Sequence, residues 1–106
     1  ASGGASQSDS ICQITADILN RKLVRCKTAE TSSLGAAIIT AAGIGAYSSI
    51  EAAVRKMVSY EKVFTPNPAH RTLYDNLFAV YKKIYPALKE LYRDLQKATN
   101  YPEAKK

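Results

Sequence analysis

The sequence predicts a mainly α chain with one short strand. Three observations carry that prediction. Apolar residues recur at helical spacing from Leu73 to Leu95. Ser8-Asp9 and Ser48-Ser49-x-Glu51 are helix-start signals. Only Lys22–Lys27 alternates as a short strand does.

The first eight residues are small, polar and glycine-rich, and read as a loop. The adjacent pair Gly3-Gly4 permits positive φ and close approach of a ligand. A helix pattern follows at once, with Ile11, Ile14, Ile18 and Leu19 spaced over Asp9–Leu19. Ser8 or Asp9 can cap its start, and Asn20 suits its end. A turn in front of a helix N-terminus offers unpaired N–H groups and positive dipole charge, which suits an anion.

Next comes the strand Lys22–Lys27, with Leu23 and Cys26 as its apolar positions. Thr28–Ser33 is polar, with Glu30 central. Glu30 reads as a helix cap or a surface charge. Leu34–Ala46 reads as a buried helix, whose Gly35, Gly43 and Gly45 imply close packing, since glycine weakens an exposed helix by about 1 kcal/mol. A third helix starts at Ser48-Ser49 and runs through Val58. Lys62–Pro68 holds Thr65-Pro66-Asn67-Pro68 and reads as a plain loop.

The last segment has the clearest pattern. Leu73, Leu77, Val80, Ile84, Leu88, Leu91 and Leu95 step by four, three, four, four, three and four. Tyr74, Phe78, Tyr81, Tyr85 and Tyr92 widen that stripe, which reads as core or domain-contact surface. Pro86 lacks an N–H and is expected to kink or break the helix near Lys82–Tyr85. Residues 100–106 read as a flexible tail.

Bulk composition bounds the function classes. The chain has 106 residues, 46% hydrophobic and 23% charged, as one small soluble domain would have. Its net charge is +6, but the basic residues are scattered, and none clusters with glycine and aromatics. Nucleic-acid binding is the weaker reading. No apolar run is long and pure enough to span a bilayer. Cys12 and Cys26 form no metal-ligand cluster, so no metal site is read. They read as free thiols in a reducing cytoplasm. His70 is the single histidine and has no partners in sequence that would give it a catalytic role.

The ordered series is more telling than any one piece. Gly3-Gly4-Ala5-Ser6-Gln7-Ser8, then Gln13, Ala16-Asp17-Ile18-Leu19, Glu30, Leu34-Gly35-Ala36-Ala37 and Ala41-x-Gly43-x-Gly45-x-Tyr47, resembles the C-terminal end of the FGGY carbohydrate kinases. Phe64-x-Pro66-x-Pro68, followed by Tyr74, Tyr81 and Tyr85, is similar to the same family, with the xylulokinase-like branch closest. The resemblance covers residues 2 to about 95.

That resemblance implies a C-terminal fragment of an actin-like, ribonuclease-H-like α/β kinase domain. Residues 1–99 would be the last part of the second of two domains. The full-length parent would move the γ-phosphoryl group of ATP, with Mg2+, to a hydroxyl of a pentulose or a related sugar or polyol. Gly3, Gly4 and Ala5 match the loop that lies along the adenosine and α-phosphate. Ala5 stands where many members have a third glycine, and Ser8 where some place an Asn that reaches the adenine. The catalytic aspartate lies upstream in the family, and the sugar contacts lie mostly in the first domain. The resemblance would equally give Glu30 a supporting role near the nucleotide; it assigns no catalytic residue to this segment, and Asp17 reads as structural.

Two further observations fit a fragment: the glycine loop has no strand in front of it, and one strand cannot satisfy its own backbone groups. The expected partners are the nucleotide, the sugar and the remainder of the kinase chain. Oligomeric state stays open, with a homodimer compatible. The alternative is a free-standing helical protein-interaction module that presents the Leu73–Leu95 stripe. The coding sequence upstream of Ala1 discriminates the two.

Overall fold

The computed structural model describes residues 1–99, so the tail expected at 100–106 lies outside the described residues. The chain forms two units, Ala1–Arg71 and a second from Thr72 onward. The first unit holds helix α1 (Asp9–Leu19), strand β1 (Leu23–Cys26), helices α2 (Thr31–Gly43) and α3 (Ile50–Met57), and strand β2 (Tyr60–Phe64). A 3-10 turn at Gly4–Gln7 precedes α1, and another at Pro68–His70 leads into helix α4, Arg71–Ala98.

Local sequence explains the helix ends. The Ser8 hydroxyl accepts the N–H of Ile11 at 3.3 Å, and the Ser49 hydroxyl accepts that of Ala52 at 3.1 Å. Each satisfies one of the unpaired donors of a first turn. Asn20 ends α1 in the left-handed conformation at φ 50°. At the end of α2, Ala46 N–H reaches the Ala41 oxygen at 2.9 Å, Gly45 N–H reaches the Ala42 oxygen at 3.2 Å, and Gly45 has φ 79°. This double bond pattern with a glycine beyond the cap is the Schellman stop. It ends the helix at Gly43, short of the expected Ala46. The helix also begins earlier than expected, at Thr31, because exposed Ser32 and Ser33 are tolerated in a solvated first turn.

The single strand of the sequence reading is corrected. β1 pairs antiparallel with β2, with Leu23 opposite Phe64, Val24 opposite Val63, Arg25 opposite Lys62 and Cys26 opposite Tyr60, and a bulge between Arg25 and Cys26. The β1 backbone is therefore partnered inside the chain. Lys62–Phe64, expected as loop, is strand. In β2 only Phe64 is buried, so the alternation that marks a half-buried strand is absent from the sequence.

The core of the first unit is small. Cys12 and Ala16 on α1 pack with Phe64 on β2, and Leu23 lies against them. Ile38 on α2 and Ala53 on α3 are also buried. A side-chain carbon built at Gly35 or Gly43 would meet nothing within 4 Å. The close packing expected at these glycines is not made by the described residues.

The second unit is the body of α4. No residue of α4 is buried, and Leu73, Leu77, Val80, Ile84, Leu91 and Leu95 are all exposed. Phe78 stacks on Tyr81 at 6.1 Å and Tyr85 on Tyr92 at 6.3 Å between ring centroids. Pro86 lies inside the helix without ending it, so of the expected kink or break the break is not made. The Lys82–Pro86 turn is exposed, so solvent can satisfy the oxygen that loses its N–H partner.

Candidate functional site

The glycine loop is fixed by its own turn. Gly3 has φ 79° and ψ 175°, a conformation that disfavours any side chain. Its N–H donates to the Ala29 oxygen at 3.1 Å, tying the loop to the segment after β1. Its oxygen accepts the Ser6 N–H at 3.1 Å and the Ser6 hydroxyl at 2.7 Å. The 3-10 turn Gly4–Gln7 follows, so Ala5 sits in an ordinary negative-φ turn where an alanine is well accommodated. A side-chain carbon built at Gly4 would meet nothing within 4 Å, so its surface is open.

Gly3, Gly4, Ala5 and Ser8 are thus brought together at the start of α1. Ser8 is committed as the N-cap, where its oxygen already accepts the Ile11 N–H. Glu30 stands at the N-cap position of α2 without a side-chain cap bond.

Beneath the loop lies a cluster that the sequence reading missed. The Arg25 side chain is only 10% exposed. Its Nη1 donates to the oxygens of Ser6 at 3.2 Å and Gln7 at 3.4 Å, and to Asp9 Oδ1 at 2.7 Å. Its Nε donates to Glu61 Oε2 at 2.9 Å. Lys62 Nζ meets Asp9 Oδ2 at 2.6 Å. Arg25 and Lys62 both lie over the Phe64 ring, at 5.4 and 5.1 Å from its centroid. The hydrogen bonds from Lys62 and then Arg25 hold the Asp9 carboxyl below its ordinary pKa. Asp9 in turn holds the guanidinium charged more firmly than usual. The Cys12 thiol donates to the same Ser6 oxygen at 3.2 Å. The one available signal in sequence was an arginine inside the short strand expected at Lys22–Lys27.

A cleft of roughly 270 Å³ opens beside the loop, lined by Ser6, Gln7, Arg25, Cys26, Lys27, Ala29 and Glu61. Both cysteines are free, Cys12 buried and Cys26 half-buried on the cleft wall.

A second cluster centres on Asp17, whose side chain is 3% exposed. Its carboxylate accepts the Asn67 N–H at 2.7 Å and Gln13 Nε2 at 2.9 Å, and meets His70 Nδ1 at 2.9 Å. Gln13 also donates to the Thr65 oxygen at 2.8 Å, and Arg71 to the Asp17 oxygen at 3.1 Å. The Asn67 N–H first, then His70, hold this carboxyl below its ordinary pKa against the opposing effect of burial. Asp17 therefore fastens the loop after β2 onto α1, and His70 serves that fastening. Among the described residues no group of three or more His, Cys, Asp or Glu side chains could hold a metal ion. Among them, too, no helix is long and apolar enough to cross a membrane.

The glycine turn thus enters α1 with the buried Arg25 bonded to its last two residues. Residues 1–44 match the model of the C-terminal domain of the FGGY family of carbohydrate kinases. The chain belongs to that family. It is 39% identical over 98 residues to a xylulose kinase of Staphylococcus epidermidis, covering 92% of this chain and 20% of that protein. It is 33% identical over 94 residues to a xylulose kinase of Lactococcus lactis, covering 88% and 19%. The structure of ligand-bound xylulose kinase from Lactobacillus acidophilus superposes with a TM-score of 0.80 at 28% identity, over 90% of this chain and 19% of that one. The chain thus spans about a fifth of the length of the relatives it matches.

Proposed function

We propose that this chain is the C-terminal part of an ATP-dependent sugar kinase that phosphorylates a pentulose or a related sugar or polyol. Its share of the site is the adenosine-side nucleotide loop Gly3-Gly4-Ala5, with Ser8 behind it. The observation that carries this reading is the loop itself. Gly3 adopts a conformation that favours glycine, and none of the described residues requires a glycine at Gly4. An uncovered backbone at the entry of an eleven-residue helix suits the flat base and sugar of a nucleotide and the phosphate next to them. Ser8 can still donate its hydroxyl hydrogen to a base while its oxygen caps the helix.

The open backbone of the loop and the Ser8 hydroxyl fit the adenosine side of ATP. ATP supplies the phosphoryl group. Mg2+ would accompany the nucleotide. Phosphoryl transfer depends on positioning across a whole cleft. The 106 residues alone carry no reading as a catalytic base, and we infer that they do not turn over by themselves. Two free thiols suit the cytoplasm, where sugar phosphorylation by ATP would run.

The test is ADP release by the full-length enzyme across pentuloses, hexoses and polyols. Sugar-dependent release, greatest with xylulose, supports the reading. ADP formation at one rate with and without every sugar contradicts it. A second reading, a helical interaction module, is favoured by the exposed apolar stripe of α4. It predicts stoichiometric capture of a protein partner that is lost on replacing Leu77 and Ile84 with Lys.

A further inference from the structure

We propose that Arg25 is a positioning residue for the nucleotide loop, holding Gly3-Gly4-Ala5 in place through a guanidinium that joins loop, helix and sheet. The inference rests on the reading of that loop as a nucleotide site. Arg25 never touches the open face of the loop. It acts through the main-chain oxygens of Ser6 and Gln7, which are the last two residues of the turn that begins at Gly4.

The geometry makes one side chain responsible for the relation between three elements. Nη1 reaches the turn and the first residue of α1, Asp9, while Nε reaches Glu61 on β2. The bonds leave in different directions from one rigid, planar group, so the turn cannot shift against the strand pair without breaking one of them. Without the guanidinium, the Ser6 oxygen keeps, among the described residues, the weak S–H donor of Cys12. Ser6 is 5% exposed with Arg25 in place, and a water entering from the cleft would not tie the turn to Asp9 and Glu61. Lysine cannot reproduce the arrangement, because an ammonium has no fork to hold the turn and Glu61 together.

The consequence is selective. A displaced Gly3-Gly4 backbone weakens ground-state nucleotide binding. It should leave sugar binding unchanged, since the sugar contacts are expected mostly in the first domain. Nucleotide affinity should change by about tenfold when charge-assisted bonds of this kind are lost.

The test uses the full-length enzyme, with ATP binding measured directly by equilibrium dialysis beside steady-state kinetics. Arg25→Gln is expected to raise both the Kd and the KM for ATP about tenfold while leaving the KM for sugar unchanged. Arg25→Lys should fall between the two. Glu61→Gln removes one anchor from an exposed carboxylate and should give a smaller rise in the same constants, which keeps the proposal testable if Arg25→Gln fails to fold. Unchanged ATP affinity in both Arg25→Lys and Glu61→Gln overturns the proposal. So does an equal loss in ATP affinity, sugar KM and kcat, which marks a general folding role. No ATP binding by the wild-type enzyme overturns the proposal and the nucleotide loop together. ATP binding without sugar phosphorylation contradicts the sugar-kinase reading alone, and the Kd comparison still decides the role of Arg25.

Discussion

The carboxylate of Asp17 accepts the backbone N–H of Asn67 at 2.7 Å, and this bond holds the loop after β2 onto α1. It is the largest cause of the lowered pKa of Asp17. A carboxylate whose pKa is lower folded than unfolded contributes stability that is complete above the unfolded value, about 3.9. That contribution is lost as pH falls through the folded value. The stability difference between wild type and Asp17→Asn should therefore shrink as pH falls below about 4. Urea denaturation across that range measures it, and a difference that grows toward acid contradicts the assignment.

Phe64 should be the most sensitive core position. It is 4% exposed and joins α1 to the strand pair beneath the Arg25 and Lys62 cations. Phe64→Ala should cost about 3–5 kcal/mol, read as a shift of the denaturation midpoint. A loss no larger than that of a surface substitution would show that the cluster is not the core of the first unit.

Gly3 and Gly4 should respond differently to alanine. Gly3→Ala forces a side chain into φ 79° and should cost about 1 kcal/mol or more of stability. Gly4→Ala meets open space and should leave stability unchanged. In the full-length enzyme Gly4→Val should nevertheless weaken ATP binding, because its side chain fills the face left to the ligand. Equal ATP affinity in Gly4→Val and wild type would remove Gly4 from the nucleotide surface.

Pro86 interrupts the hydrogen-bond ladder of α4 without ending the helix. Pro86→Ala should restore that bond and favour the helix by up to about 3 kcal/mol. Hydrogen exchange at residues 82–90 reads this directly. Faster exchange in the variant would mean that the proline rigidifies the helix.

The helices were legible because their ends are written in local chemistry. Ser8, Asn20 and Ser49 each act on backbone within three or four residues. The start of the glycine loop was legible for the same reason, since Gly3 needs a positive φ. β2 was not legible, because Glu61 and Lys62 point into ion pairs and only Phe64 is buried. Arg25 looked like one of many scattered basic residues. Its importance comes from partners at Ser6, Asp9 and Glu61, which no local pattern links. Gly43 and Gly45 suggested packing, whereas Gly45 serves the stop of α2.

The account depends most on the nucleotide lying along the loop before α1. Photolabelling the full-length enzyme with ATP that carries an azide on the adenine tests this directly. The account predicts label on the tryptic peptide that ends at Arg21 and contains Gly3–Ser8, with labelling suppressed by excess ATP. ATP-protected label confined to peptides outside that segment would contradict it.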